Sequence, residues 1–153
     1  MRPARVLGLG NRLRRDDGVG PWVAGELARR AQGADVRQID GDGFALLDAL
    51  ADAHAVLLVD AVQSGAPPGT VHRLDAVAGP LPQDALRCST HALGVVEAVE
   101  LARALGQLPA RLAVYGIEGA DFGSGEGLSP AVAAAAGALV EELLIELTEA
   151  CRA

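Results

Sequence analysis

The segment "AVLLVDAV" (55–62) constrains the fold of this chain more than any other stretch. Seven of its eight residues are apolar and they do not alternate with polar ones, so both faces of a strand built from them must be covered. Strands of this kind occur in parallel sheets with helices packed on either side. Asp60 interrupts the run near its carboxyl end, where a buried carboxylate without a partner would be destabilising. The segment therefore predicts an α/β fold with a polar site near the end of this strand.

Further strands and helices follow from the period of the apolar residues. In addition to 55–62, strands are predicted over 4–9, 35–40, 70–76 and 110–117. Helices are predicted over 18–31, over 44–53, from Thr90 to Leu105, and from Ser129-Pro130 onward, where a serine N-cap precedes a proline in the first turn. This alternation predicts a single domain over 1–153, built as a three-layer sandwich with a mainly parallel sheet.

Composition excludes several classes of function. The net charge is −7 and every basic residue is arginine, so the surface disfavours nucleic acid and no lysine is present for Schiff-base chemistry. Cys88 and Cys151 fit neither a disulfide framework nor a metal knuckle, which indicates a reducing compartment. The longest apolar runs are too short to span a membrane. We therefore expect a cytoplasmic protein with neither nucleic acid nor a membrane as its partner.

Polar residues cluster at the predicted carboxyl ends of the strands, where open α/β sheets place their functional crevice. They are Asp16 and Asp17 after the first strand, Asp40 at the end of the second, Asp60 at the end of the third, His91 in the segment after the long loop 79–89, and Glu118 after the last strand. This edge of the sheet is therefore the predicted site.

The turn "LGLGNRLRRDDGVG" does not fit a nucleotide-binding loop. A dinucleotide fingerprint needs a glycine where Leu13 stands, and a Walker loop needs a lysine. Asp16 and Asp17 would also oppose a phosphate at the start of the following helix. Acidic residues at this turn are compatible either with helix capping or with binding of a cation.

Two carboxylates and one imidazole form a recognisable ligand set for a borderline divalent cation. If Thr90 is the N-cap, His91 lies in a first helical turn, where the helix dipole keeps the ring neutral and able to bind a metal. Separate structural roles for the aspartates and the histidine explain the same residues, and the pattern alone leaves both explanations open. His54 and His72 are assigned structural roles, since one opens a strand at the opposite edge and the other lies within a strand.

Four blocks of sequence, in order, resemble the hydrogenase maturation peptidases. They are "VLGLGNRLRRDDGVG", "LLVDAV", "STHALG" and "GIEG" followed by "GLSP", and the resemblance covers about residues 4–147. It implies a twisted, mainly parallel five-stranded sheet between helices. It also implies an endopeptidase that removes the C-terminal extension of a nickel-iron hydrogenase large-subunit precursor after nickel has been inserted.

The resemblance further implies which residues bind the metal and act in catalysis. Asp17, Asp60 and His91 would bind nickel carried by the substrate, and other divalent cations can occupy such a site in vitro. Whether Asp16 or Asp17 supplies the first-loop ligand stays open, as does whether nickel polarises the peptide carbonyl or a bound water. The remaining residues expected in the substrate-facing loops are Gly8, Gly10, Asn11, Asp16, Asp40, Gly41 and Glu118. Gly8 and Gly10 would serve the tight turn, and the protein is expected to act as a monomer.

The sequence also leaves two alternative functions open. In the first, Cys88 is a nucleophile, His91 its base and Asp60 the residue that orients the base. In the second, the protein is a chaperone that checks for nickel and binds the precursor without cutting it. Ser64, Ser89 and Ser124 lack the context of a nucleophile elbow and are assigned to turns and caps.

Overall fold

The computed structural model describes residues 4–83 and 93–152. Within these ranges the strands are β1 (Arg5–Leu9), β2 (Asp35–Ile39), β3 (Ala55–Val62), β4 (Val71–Asp75) and β5 (Arg111–Glu118). The helices are α1 (Val19–Arg30), α2 (Gly43–Ala51), α3 (Val95–Ala104) and α4 (Pro130–Arg152), and a short 3-10 helix, Arg15–Gly18, precedes α1.

The described strands form one sheet in the order β2-β1-β3-β5-β4. β1, β2, β3 and β5 are parallel, and β4 runs antiparallel to β5 at one edge. The prediction of a mainly parallel five-stranded sheet is confirmed. β3 lies in the centre, and from Val56 onward each of its residues is buried, as its continuous apolar sequence requires.

The two faces of the sheet carry separate apolar cores. On one face α2 and α3 pack over side chains such as Leu58, while on the other α1 and α4 pack over side chains such as Leu57. Successive residues of a strand point to opposite faces, so β3 contributes to both cores. The three-layer sandwich is confirmed. Among the described residues, no helix combines the length and the apolar character needed to cross a membrane.

The amino edge of the sheet is closed by a buried arginine. Arg5 of β1 is 9% exposed, and its Nε donates to Asp35 Oδ2 at 2.8 Å. Its Nη1 donates to Asp52 Oδ1 at 2.6 Å and to the carbonyl oxygen of Ala49 at 2.8 Å. The ion pairs satisfy a guanidinium that would otherwise be buried alone, so the charges at this edge are structural.

The predicted start of the third helix is wrong. Among the described residues α3 begins at Val95, and Leu93 and Gly94 are not helical. Gly94 has an extended backbone (φ −82°, ψ 176°), and the Leu93 carbonyl accepts a hydrogen bond from Gly43 N at 3.1 Å. This contact with the start of α2 joins segments far apart in sequence, so local periodicity could not reveal it. The expectation that His91 lies in the first turn of this helix is therefore unsupported.

Candidate functional site

Three glycines bring α1 against the carboxyl ends of β1 and β3. A Cβ atom on Gly8 would lie 2.3 Å from the carbonyl oxygen of Gly20, and one on Gly20 would lie 2.3 Å from that of Leu9. Gly10 has φ +138°, and a Cβ there would lie 1.9 Å from the carbonyl oxygen of Asp17. These distances leave no room for a side chain. The glycines therefore serve a tight turn and close backbone approach.

Asp16 joins two loops. It is 0% exposed, and its Oδ2 accepts hydrogen bonds from Ala120 N (2.8 Å), Asp121 N (2.9 Å) and Ser129 Oγ (2.8 Å). Its Oδ1 accepts from Ser129 N at 2.7 Å. Burial alone would raise the pKa of Asp16, but these donors outweigh it and hold the pKa below its ordinary value. Asp16 thus fastens the loop after β1 to the loop that leads into α4.

No aspartate side chain caps the start of α1. Gly18, rather than either aspartate, is the N-cap residue of α1. α4 begins at Pro130 as predicted, and the hydroxyl of Ser129, the residue before it, donates to Asp16. This bond links the loop after β1 to the start of α4, 113 residues further along the chain.

In the described part of the chain, Asp17 and Asp60 are the other two buried aspartates at this edge. Asp17 is 8% exposed and its Oδ2 accepts from Asn11 N at 3.0 Å. Asp60 is 5% exposed and its Oδ1 accepts from Ala61 N at 2.8 Å. Each has further polar contacts, and the 3-10 helix that carries Asp17 packs against β3, which carries Asp60. A hydrogen-bonded carboxylate can also coordinate a cation through its remaining lone pairs.

His91, the third member of the predicted ligand set, lies outside the described residues, and so do Cys88 and Ser89. Over 4–83 and 93–152, no three His, Cys, Asp or Glu side chains form a metal-binding group. The described donors of the predicted set are therefore the carboxylates of Asp17 and Asp60. Oxygen donors suit many divalent cations, and an imidazole would add the nitrogen donor that suits nickel.

Glu118 at the end of β5 is engaged within the protein. It is 1% exposed and accepts hydrogen bonds from the amide and hydroxyl of Ser64, while His72 Nε2 lies 3.2 Å from its Oε1. Burial tends to raise the pKa of Glu118, but the bonds from Ser64 and His72 outweigh it and lower the pKa. Glu118 therefore ties β5 to the turn after β3 and to β4. These contacts agree with the structural role assigned to His72.

The loop after β2 reaches the same edge of the sheet. Asp40 is exposed there, and Gly41 has φ +101°. Asp42 caps α2 by accepting from Phe44 N at 2.9 Å. A Cβ on Gly43 would lie 2.3 Å from the carbonyl oxygen of Leu93, so the start of α2 is in contact with the segment that precedes α3. The predicted loop residues after β1 and β2 are thus brought to one edge.

A groove beside these loops was missed by the sequence analysis. Its volume is about 360 Å³. It is lined by Arg12, Arg15, Gly18, Trp22, Glu126, Gly127, Leu128 and Ala133. A signal was present, because "RLRR" (12–15) puts three arginines into four residues of an otherwise acidic chain.

The fold and the site define an α/β protein with buried carboxylates at the carboxyl edge of a mainly parallel sheet, which suits a cation better than a phosphate. The chain belongs to the hydrogenase maturation protease family, whose model matches residues 21–146.

Individual relatives agree with this membership. The chain is 34% identical over 154 residues to the hydrogenase expression/formation protein HupD of Rhodobacter capsulatus, covering 95% of this chain and 72% of that protein. It is 34% identical over 116 residues to HupD of Thiocapsa roseopersicina, covering 74% of this chain and 52% of that protein, so the chain spans about half of that relative's length.

Solved structures share the fold. A solution structure of an endopeptidase from Escherichia coli has a TM-score of 0.80 at 26% identity, with 97% of this chain and 93% of that chain covered. The hydrogenase maturating endopeptidase HybD from E. coli has a TM-score of 0.75 at 24% identity, with the same coverage of 97% and 93%.

Proposed function

We propose that this protein is an endopeptidase that removes the C-terminal extension of a nickel-iron hydrogenase large-subunit precursor after nickel insertion. In this proposal Asp17, Asp60 and His91 bind the nickel that the substrate carries. The main support is a pair of buried aspartates at the carboxyl edge of the sheet, Asp17 (8% exposed) and Asp60 (5% exposed). They lie on two elements that pack together, the 3-10 helix and β3. Their place in a member of the hydrogenase maturation protease family supports the rest.

The hydrogen bonds of Asp16 support Asp17 as the first-loop ligand. The two oxygens of Asp16 accept four hydrogen bonds, which matches the roughly four lone-pair positions of a carboxylate. Binding a cation there would break contacts that hold two loops together. The Oδ2 of Asp17, the next residue, accepts a hydrogen bond from Asn11 N within its own loop.

Burial of the two aspartates supports a requirement for nickel in the substrate. Charges interact more strongly where water is excluded, so a cation brought to two buried carboxylates on elements that pack together is attracted more strongly than it would be at the surface. A precursor without nickel would lack that cation and would bind weakly. When the nickel is present, it can polarise the scissile carbonyl or lower the pKa of a bound water.

The test is a cleavage assay by mass spectrometry with the cognate precursor in nickel-loaded and nickel-free forms. Asp17→Asn and Asp60→Asn are the test variants. Asp75→Asn is the matched control, because Asp75 pairs with Ala113 near the opposite end of β5 and is exposed. We expect the C-terminal peptide to be released only from the loaded precursor, by wild type and Asp75→Asn. Equal cutting of both forms, or undiminished cutting by Asp60→Asn, would contradict the proposal.

Two further assays distinguish this function from the cysteine hydrolase and the chaperone. Alkylation of the thiols should leave cleavage unchanged. Loss of cleavage on alkylation, together with loss of cleavage in untreated Cys88→Ser, would instead favour Cys88 as the nucleophile. Tight binding of the loaded precursor without any product would instead identify a chaperone that does not cleave.

A further inference from the structure

The groove defined above has charges opposite to those of the whole molecule. Arg12 and Arg15 line it together with the apolar side chains of Trp22 and Leu128, and Glu126 is the one acidic residue among the described residues that line it. The chain as a whole has a net charge of −7. Two guanidinium groups beside an apolar wall are suited to a ligand that has a carboxylate next to an apolar group.

The two loops that form the groove are joined by their backbones. Arg15 N donates to the carbonyl oxygen of Gly125 at 2.9 Å, and Gly125 N donates to that of Leu13 at 2.9 Å. Asp16 N donates to the carbonyl oxygen of Asp121, also at 2.9 Å. A groove held in this way exists before a ligand arrives, which reduces the loss of conformational entropy on binding.

Arg15 has an unfavourable backbone conformation. Its φ is +47°, and it is the one non-glycine residue with positive φ in the described part of the chain. A side chain with Cβ is disfavoured in this region of φ, and such strain is concentrated at functional sites. Here the conformation accompanies a guanidinium that lines the groove, with Nε 3.4 Å from Asp121 Oδ2.

The loop opposite Arg15 is shaped to admit its guanidinium. Gly125 has φ +126°, and a Cβ there would lie 3.2 Å from Arg15 Nη2 and 3.3 Å from its Cζ. The second guanidinium is oriented as well, because Arg12 Nη2 donates to the carbonyl oxygen of Pro21 and to Gln38 Oε1, each at 3.2 Å. The two arginines are therefore positioned by the fold.

We propose that this groove binds an acidic residue of the precursor, with the apolar residue beside it packed against Trp22 and Leu128. The inference rests on the proposed function, which it deepens by naming the peptide chemistry that the site accepts. Arg15 and Gly18 line the groove from the 3-10 helix that also carries Asp17, so a peptide held here lies against the element that supplies one of the proposed nickel-binding residues. Arg12 and Arg15 would then determine specificity, and neither would take part in bond cleavage.

Trp22 makes the groove directly observable because it is the single tryptophan of the chain. The probes are acetyl-Leu-Glu-Leu-amide and its neutral match acetyl-Leu-Gln-Leu-amide. We expect a saturable change in tryptophan fluorescence with the acidic peptide, reduced at high salt, and no saturation with the neutral one. Equal responses to the two peptides would overturn the inference.

Variants assign the response to particular arginines. Arg15→Asn removes the guanidinium and introduces a residue that tolerates positive φ, and Arg12→Gln tests the second guanidinium at a position without that strain. Each should weaken acidic-peptide binding about tenfold, as expected for loss of one charge-assisted contact. Arg73→Gln is the control, since Arg73 is an exposed residue of β4 that pairs with Glu142 of α4, and the affinity of this variant should equal that of wild type.

Steady-state cleavage of the loaded precursor separates this inference from the proposed function. If both are right, Arg15→Asn raises KM about tenfold with little change in kcat, and Arg73→Gln changes neither. Normal cleavage with unchanged peptide affinity in Arg15→Asn and Arg12→Gln would overturn the groove and leave the endopeptidase intact. Acidic-peptide binding that depends on Arg15, in a protein that cleaves no precursor, would overturn the proposed function and leave the groove.

Discussion

Replacing Asp16 with asparagine removes one negative charge from the junction of two loops and hardly changes the size of the side chain. The amide oxygen can take the place of Oδ2 and keep its three donors, two from the main chain and one from Ser129. The amide nitrogen then faces Ser129 N, which loses its acceptor. The variant therefore weakens three hydrogen bonds and leaves one partly buried N–H group without its acceptor.

The magnitude follows from the charge of the acceptor. A hydrogen bond to a charged group stabilises by about 1.5–3 kcal/mol and a neutral one by about 0.5–1.5 kcal/mol, so three weakened bonds cost about 3 kcal/mol. The Ser129 N–H group is only partly buried, so the loss of its acceptor adds about 1 kcal/mol, the lower end for an unsatisfied donor. We expect Asp16→Asn to lower the free energy of unfolding by about 4 kcal/mol, a large share of the roughly 5–15 kcal/mol that stabilises a domain. The melting temperature should fall by about 10 °C.

Urea denaturation followed by far-UV circular dichroism measures this change, with Asp75→Asn as the matched control. Asp75 is exposed and accepts hydrogen bonds from Val77 N and Ala78 N, and asparagine forms the same type of turn. The control should differ from wild type by less than about 0.5 kcal/mol. A free energy of unfolding for Asp16→Asn within about 1 kcal/mol of wild type would refute the importance of this junction.

The difference in stability between wild type and Asp16→Asn should depend on pH. The pKa of Asp16 in the folded protein lies below its ordinary value of 3.8, so its stabilisation is complete above the pKa of the unfolded chain, about 3.9. It is lost as the pH falls through the lower pKa of the folded state. The difference in stability between wild type and Asp16→Asn should be full near neutral pH and should narrow below about pH 4. A difference that stays constant down to pH 2 would contradict this assignment.

Two further changes test the backbone around the site. Arg15→Asn relieves a positive φ that costs about 1–2 kcal/mol and loses an exposed ion pair worth about 0.2–1 kcal/mol. Urea denaturation should therefore show a free energy of unfolding equal to that of wild type or up to about 1 kcal/mol above it. A clearly lower free energy of unfolding would contradict the strain assigned to Arg15. Gly20→Ala would place Cβ 2.3 Å from the Leu9 carbonyl oxygen and should lower the free energy of unfolding by at least about 3 kcal/mol. Gly137→Ala in α4 is the control, because a Cβ there meets nothing within 4 Å, and it should raise the free energy of unfolding by up to about 1 kcal/mol. Equal effects of the two substitutions would show that the close approach of α1 to the sheet does not limit the size of this residue.

Local pattern was sufficient for most of the fold. The uninterrupted apolar run of β3 requires cover on both faces, and its residues pack against helices on both sides. Other elements begin and end close to the predicted residues because the periods of 2 and 3.6 are set by the geometry of the backbone itself. The exception is the start of α3, which depends on a hydrogen bond between Gly43 and Leu93 across 50 residues of chain.

The sequence predicted where the site lies in the fold, but it did not predict the role of each aspartate in it. The rule that parallel strands end at one edge of a sheet was enough to bring Asp16, Asp17 and Asp60 to the same edge. It could not separate Asp16 from Asp17, because the donors that engage Asp16 come from residues 104 to 113 positions away. Binding of nickel by Asp17, Asp60 and His91 stays a prediction.

The order of residues by itself determined which segments are strands and helices, which faces are apolar and which edge carries the acids, since each depends on neighbours a few residues apart. Tertiary structure decided that Asp16 fastens two loops, that Ser129 serves Asp16, and that Trp22 and Leu128 stand beside the arginines of the first loop. These features depend on where the loop before α4 meets the loop after β1. That meeting is produced by the packing of α1 and α4 on one face of the sheet, and no local period encodes it.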